Sequence, residues 1–273
     1  MPELPEVETI ARDVRPLLVG ERIARAHVHK PDILRRIRRP AFQRALAGRT
    51  IVSVGRRAKH LVLLLDDDRR LIIQPRMTGS LRVDANGARR DPYDVLTFDL
   101  GSGARMRFRD VRRLGVVLLL TPQAWAAYDA AIGPEPLERA FTPRRFAEVL
   151  SGARVAVKKA IMDQRRLAGV GNIYASEACW IAMIDPSRSA HLLSAADIER
   201  LHAAIVQVLR RAVEGRGTTV RDYRTGTGEP GNYQGRLAVY ERAGEPCLRC
   251  GTRIALTWAL DGRSTYFCHR CQP

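Results

Sequence analysis

Lysine is nearly missing from this chain. Among 273 residues only Lys30, Lys59, Lys158 and Lys159 are lysines, so arginine supplies almost all of a Lys+Arg total of 46. Each lysine is therefore a position to inspect. Acids are also scarce: 29 Asp and Glu residues leave a formal net charge of +17, and the sequence pI is about 10.7. That imbalance points to a polyanionic partner, most simply nucleic acid. No apolar run is long enough to span a bilayer, and no basic amphipathic helix occupies a terminus, so a membrane partner has no support. The N-terminus is acidic and lacks the apolar stretch of a signal peptide, so a soluble, intracellular chain is expected. There is no internal repeat, which sets aside solenoids and propellers.

What remains is enough for a folded protein. Hydrophobic residues make up 45% of the chain, and the length suits two small domains or one large one. Cysteine is sparse but patterned. Cys179 stands alone in a helical stretch and reads as a small core residue. Cys247, Cys250, Cys268 and Cys271 form C-x2-C-x17-C-x2-C. In a reducing compartment that spacing is a structural zinc site, each C-x2-C pair turning two thiolates toward one tetrahedral ion. With all four ligands protein thiolates, no coordination position stays open for chemistry. His269 lies between two of these ligands in sequence and is not expected to be a fifth.

Periodicity divides the rest. Val7, Ile10, Val14, Leu17 and Leu18 recur at helical spacing over 5–19, with Glu6 and Glu8 in the first turn and Gly20 after the end. From 22 to 121 the texture is that of eight short strands: Arg22–Lys30, Thr50–Arg56, His60–Leu65, Leu71–Gln74, Ser80–Val83, Asp94–Leu100, Ala104–Arg109 and Gly115–Leu120. Turn signals at Asp66-Asp67-Asp68, Asn86-Gly87 and Gly101-Ser102-Gly103 separate some of them, which predicts an antiparallel sandwich. Gly133-Pro134-Glu135-Pro136 reads as a linker, and helices follow: one capped by Thr142-Pro143, then Val155–Gln164, Ile173–Ile184, and one opening at Ser194 to Asp197. Residues 216–236 are glycine-rich and aperiodic, a length of loop that is usually functional or disordered. The last thirty residues hold the cysteines among short strand-like runs, the texture of a zinc ribbon.

The N-terminal Met1-Pro2-Glu3-Leu4-Pro5-Glu6-Val7-Glu8 carries chemistry if Met1 is removed. Pro2 would then present a secondary amine. An α-amino group titrates near ~8, well below a lysine side chain, so more of it is unprotonated at neutral pH. Such an amine beside a carboxylate can attack carbon and form an iminium, with Glu3 placed to move protons. The other reading of these residues is a plain terminus in which Pro2 and Pro5 precede a helix.

Taken together, the motifs resemble those of the bacterial formamidopyrimidine-DNA glycosylases over essentially the whole chain. Pro2 to Thr9 matches that family rather than its sister, endonuclease VIII. Arg57-Ala58-Lys59 is similar to its lysine motif, and Met77-Thr78-Gly79-Ser80-Leu81 to its methionine loop. Gly169-Val170-Gly171-Asn172-Ile173-Tyr174-Ala175-Ser176-Glu177 resembles its helix–two-turns–helix hairpin, and Arg263-Ser264-Thr265-Tyr266-Phe267-Cys268 its zinc-finger hairpin. The resemblance implies an α+β, multidomain chain. An N-terminal helix and antiparallel β-sandwich span 1–132, a helix–two-turns–helix domain with a lesion-capping loop 133–236, and a zinc ribbon 237–273. It implies a bifunctional glycosylase and lyase of base excision repair acting on oxidised purines in double-stranded DNA, monomeric, with one zinc ion and a bacterial, cytoplasmic, nucleoid-associated location. By the same resemblance Pro2 attacks C1′, Glu3 donates the proton for base loss, Lys59 assists the first elimination and Arg263 the second. Met77, Arg112 and Leu114 fill the void left by the extruded base. Asn172, Arg154 and Lys158 fall near the family's phosphate contacts, and Tyr223 to Tyr233 in its lid.

Four positions depart from the family's habit. Gln74 and Tyr93 stand where histidine is common, Val111 where proline is, and Leu114 where phenylalanine is. A leucine wedge fills space but stacks less well than a phenyl ring. These departures bear on the opposite base and damage spectrum while leaving the catalytic set intact. Two competing functions are a sister-type glycosylase for oxidised pyrimidines, opposed by the full 216–236 loop, and a zinc-ribbon lesion binder without catalysis, opposed by Pro2 and Glu3.

Overall fold

The computed structural model describes residues 2–85 and 91–273; the expected Asn86-Gly87 turn lies outside the described residues. The chain divides into two compact units, Met1–Ala130 with Gly215–Gln234, and Ala131–Glu214 with Gly235–Pro273.

The first unit opens with α1 (Leu4–Leu18), whose Val7, Ile10, Val14 and Leu18 are fully buried. Leu17, expected on the same face, is 49% exposed, because one residue turns the helix by about 100° and carries it off the stripe that ends at Leu18. Then come β1 (Ile23–Val28), α2 (Arg39–Leu46), β2 (Ile51–Arg57), β3 (His60–Leu65), β4 (Arg70–Gln74), β5 (Gly79–Asp84), β6 (Asp94–Leu100), β7 (Arg105–Asp110), β8 (Val116–Leu120) and α3 (Pro122–Ala130). Among the described residues the strands form two four-stranded sheets, ordered β1-β6-β7-β5 and β2-β3-β4-β8, with every pair antiparallel. Their facing residues, including Leu61, Leu63, Ile73, Leu96, Phe98 and Phe108, join the buried face of α1 in one core. All eight expected strands are present.

Two helices were not expected. α2 sits in an arginine-rich stretch and buries only Phe42 and Leu46, too few to show a period. α3 buries no residue fully; its Trp125 and Tyr128 lie half-covered on the outer face of the second sheet, over Ile72 and Leu118.

The second unit contains α4 (Pro143–Leu150), α5 (Val157–Met162), α6 (Asn172–Ala182), α7 (Ala195–Glu214) and the hairpin of β9 (Ala255–Thr257) with β10 (Thr265–Phe267). Thr142 caps α4 by accepting from the Arg145 amide, and Ser194 caps α7 by accepting from that of Asp197. The turn between α5 and α6 is braced internally by Gln164, whose amide nitrogen donates to Met162 and Val170 carbonyls while its oxygen accepts from the Gly169 amide. Residues read as a linker are tied to this turn: the Gly133 amide donates to Gln164, and the Pro134 carbonyl accepts from Ala168. A side chain at Gly133 would lie 2.4 Å from the Arg166 carbonyl carbon, so only glycine fits there. Glu177 on α6 accepts from the amides of Ala238, Val239 and Tyr240 at 2.8–2.9 Å, fastening the segment that leads into the cysteines. Burial raises its carboxyl above the ordinary range against the pull of those three amides. Cys179 is fully buried in the same helix, and burial pushes its thiol up to about 12, as suits an inert core residue.

Candidate active site

Pro2 and Glu3 are both buried and lie just ahead of α1. The Glu3 amide donates to Glu6 Oε2 at 2.8 Å, which fixes the backbone of the candidate acid. Helix α1 is pinned to β2 by two further ties. Arg56 Nε lies 3.2 Å from Glu8 Oε2, and Arg15 Nε donates to the Val54 carbonyl at 2.8 Å. The residue numbers rise along β2 as they fall along α1. The N-terminal end of α1 and the β2–β3 turn therefore lie at the same end of the unit. Burial opposes charge on Glu8, yet the Arg12 hydrogen bond and the Arg56 charge hold its carboxyl below the usual range, so the Arg56–Glu8 tie stays ionic at neutral pH.

Lys59 sits in that turn, with Ala58 before it at φ +51°, and is only 7% exposed. Its neighbour His60 is buried as well. Burial pushes the imidazole down to about 4, helped by the charges of Arg76, Lys59 and Arg57. At neutral pH it is uncharged: Nδ1–H donates to the Arg57 carbonyl at 3.0 Å and Nε2 accepts from the Tyr128 hydroxyl at 3.2 Å. The neutral ring supports the turn without adding a further cation to Lys59, Arg57 and Arg76.

The candidate wedge is assembled from two loops. Met77, Val111 and Leu114 are exposed to 44%, 43% and 39%, unusual for apolar side chains of this size, and Arg112 Nη1 lies 3.6 Å from Met77 Sδ. Asp110, 1% exposed, joins the loops. Its Oδ1 accepts from the Thr78 hydroxyl at 2.5 Å and its Oδ2 from the Gly115 amide at 2.7 Å, while Thr78 Oγ1 accepts from the Arg112 amide at 3.1 Å. Sequence reasoning missed Asp110; its place at the end of β7, just ahead of Val111-Arg112-Arg113-Leu114, was the available signal. Tyr93 is 46% exposed just before β6, under the Arg109 guanidinium, and its carbonyl accepts from the Asp110 amide.

In the second unit, Asn172 opens α6 and donates to the Ser264 carbonyl at 2.9 Å. Lys158 was expected near phosphates. Instead it is 1% exposed, and its ammonium donates to Asn172 Oδ1 at 2.7 Å, the Ser264 carbonyl at 2.9 Å and Thr265 Oγ1 at 2.8 Å. Those three bonds use all the protons an ammonium has, and Lys158 lies behind Asn172. Arg154 is exposed. So is Arg263, on a turn held by its own amide donating to Asp261 and by Gly262 at φ +73°. Arg263 lines an open cleft of about 610 Å³ with Lys159, Arg165 and Arg166, partly offset by Asp163 and Asp261.

The four ribbon cysteines place their sulfurs within 4.8 Å of one another, with Cys247 to Cys271 at 3.9 Å and Cys250 to Cys268 at 3.5 Å. A tetrahedral ion with Zn–S bonds near 2.3 Å requires sulfurs about 3.8 Å apart, so the donor set fits zinc. His269 is exposed and outside this cluster.

Residues 1–117 match the formamidopyrimidine-DNA glycosylase N-terminal domain, 132–224 the formamidopyrimidine-DNA glycosylase H2TH domain, and 244–273 a zinc finger found in FPG and IleRS. The formamidopyrimidine-DNA glycosylase of Chloroflexus aurantiacus is 44% identical over all of this chain and 98% of its own length. This chain belongs to the formamidopyrimidine-DNA glycosylase family. The family's enzyme from Roseiflexus is 43% identical over 100% of both chains. Among solved structures, the Lactococcus lactis Fpg in complex with abasic-site DNA superposes with a TM-score of 0.91 at 33% identity, covering 99% of each chain. The MutM (Fpg) protein of Thermus thermophilus gives 0.89 at 36% identity, over 99% of this chain and 98% of that one.

Proposed function

We propose that this glycosylase excises oxidised purines, chiefly 8-oxoguanine and formamidopyrimidines, from duplex DNA and then nicks the strand through a Pro2 iminium. It is a DNA glycosylase of base excision repair, with one structural zinc ion. The observation that carries the residue assignment is the N-terminal Pro2-Glu3 pair, buried, fixed by Glu6, and lying at the same end of its unit as Lys59.

The target base is extruded first, since a stacked base cannot reach a buried amine. The Pro2 nitrogen forms a bond to C1′ as the glycosidic bond breaks, and the departing base takes a proton from Glu3. The sugar ring opens to leave an iminium between Pro2 and C1′. Loss of a C2′ proton then expels the 3′ phosphate with Lys59 beside the reacting sugar, and a second elimination with Arg263 expels the 5′ phosphate. Met77, Arg112 and Leu114 occupy the vacated stack. Asn172, at the N-terminus of the 11-residue α6, holds a phosphate where helix amides favour one. Arg154, Lys159, Arg165 and Arg166 extend the cationic surface, while Lys158 acts through Asn172. Among the described residues no helix is long and apolar enough to cross a membrane, and a cytoplasmic, nucleoid-associated location agrees with the basic surface.

A panel of duplexes tests the substrate class. Release of 8-oxoguanine and formamidopyrimidines in preference to oxidised pyrimidines is expected; the reverse preference would make this a sister-type enzyme.

A further inference from the structure

Helix α1 carries two acids that the reaction does not use, and both face the glycine-rich segment of the same unit. Glu6 and Asp13 are seven residues apart, hence on one helix face. Glu6 Oε1 accepts from the Thr218 amide at 2.8 Å in a buried contact, and the Tyr223 hydroxyl donates to the Glu6 carbonyl at 3.3 Å and the Arg216 carbonyl at 3.1 Å. These hold the root of the loop. Asp13 holds its root and its tip together. Its carboxylate takes Arg216 Nη2 at 3.1 and 3.0 Å on its two oxygens, and the Gly226 amide at 3.0 Å on Oδ2. Gly226 belongs to the tip turn, in which the Thr225 amide donates to Glu229 and the Gly228 amide to Thr225.

We propose that Asp13 is a positioning residue that latches the 216–231 loop against α1, and that this latch sets how fast a damaged base is excised. The inference rests on the reading above, in which this loop caps the extruded base. Three features make the contact more than incidental. The loop approaches α1 so closely at Gly226 that a side chain there would lie 2.6 Å from Asp13 Cβ. Arg216 and Gly217 are both left-handed, at φ +58° and +81°, so the chain reverses sharply where the ion pair grips it. Among the described residues, Tyr223 alone of this loop joins the core that α1 buries, so polar contacts decide where the tip rests. The two acids also differ in kind. The Glu6 contact is buried, a fixed hinge; in the other, Asp13 is 9% exposed and the Arg216 side chain 38%, so water reaches the pair from the arginine side and the pairing is able to release. Because Glu6 also holds the Glu3 amide, loop and catalytic residue share one support.

The test uses the full chain with Pro2 as its first residue, and Asp13→Ala and Asp13→Asn variants of unchanged melting temperature. Amide exchange over 217–231 is read without DNA. Single-turnover release of 8-oxoguanine is compared with cleavage of a pre-formed abasic site, which has no base to cap. Losing a partly buried charged contact should slow base release about fivefold in Asp13→Ala and less in Asp13→Asn, which keeps an acceptor for Gly226. Loop exchange should quicken by a similar factor, and abasic-site cleavage should stay within about twofold, a split that general destabilisation would not produce. Arg216→Gln combined with Asp13→Asn should cost no more than the worse single change. Unchanged loop exchange in Asp13→Ala, equal losses on both substrates, or additive effects in the double variant would each overturn the latch. A wild-type chain that releases no oxidised purine would overturn the functional reading instead, and the exchange measurement would still decide whether Asp13 holds the loop.

Discussion

Replacing Lys158 by methionine removes an ammonium that the fold holds out of water with three partners, Asn172, Ser264 and Thr265. Methionine keeps most of the stem's volume, so packing changes little while three acceptors lose the ammonium, of which the Ser264 carbonyl keeps the Asn172 amide. Each acceptor left unmade costs roughly 1–3 kcal/mol, and relief of the buried charge returns part of the sum. A net loss of about 2–4 kcal/mol is expected, read by urea or thermal unfolding. Function should follow structure: Asn172 and the Arg263 turn lose their common tie, so damaged and intact duplexes should both bind more weakly. The salt dependence separates this account from a direct contact. A residue touching a phosphate contributes about 0.9 to the slope of log affinity against log salt. Arg154→Ala, at an exposed position, should lower affinity and slope without lowering stability. Lys158→Met should lower stability first. A Lys158→Met protein of native stability whose salt slope falls by about one would refute the reasoning and return Lys158 to the DNA surface.

His60 makes stability depend on pH. Its folded pKa, pushed down to about 4, lies below the ordinary 6.5, so the unfolded chain binds the extra proton and stability falls as pH drops from 6.5 toward 4. The shift corresponds to about 3 kcal/mol, fully present above pH 6.5 and absent below 4. His60→Gln should flatten that part of the stability curve, and an unchanged pH slope would count against the buried neutral imidazole. Zinc removal should unfold the ribbon and abolish DNA binding while the sandwich survives, since such sites can supply ~10–16 kcal/mol of apparent binding energy in isolated fingers. Elemental analysis should find one zinc per chain, and a freshly purified protein without it would contradict the site.

The parts legible in the sequence share a cause: each is a local pattern. Short strand-like runs, some set apart by turn signals, marked all eight strands, and the C-x2-C pairs marked a cluster whose sulfurs do converge. α3 was not legible because it buries nothing fully and shows no period. The segment 215–234 was grouped with the helices that precede it, yet it packs with the first unit, since Glu6 and Asp13 bind it across more than two hundred residues. Asp110 and Lys158 escaped for the same reason. Their roles are hydrogen bonds to partners 32 and 107 residues away, at Thr78 and Thr265, and residue type alone suggested a strand-end acid and a surface base.

The central claim is that the amine of Pro2 is the nucleophile, and borohydride trapping on a duplex with 8-oxoguanine opposite cytosine tests it most directly. With Met1 removed, reduction should leave a covalent protein–DNA adduct that mass spectrometry places on the N-terminal peptide. With Met1 or a tag retained the amine becomes an amide, and trapping should vanish while lesion binding persists. An adduct that survives a blocked terminus, or one that maps to Lys59, would contradict the account.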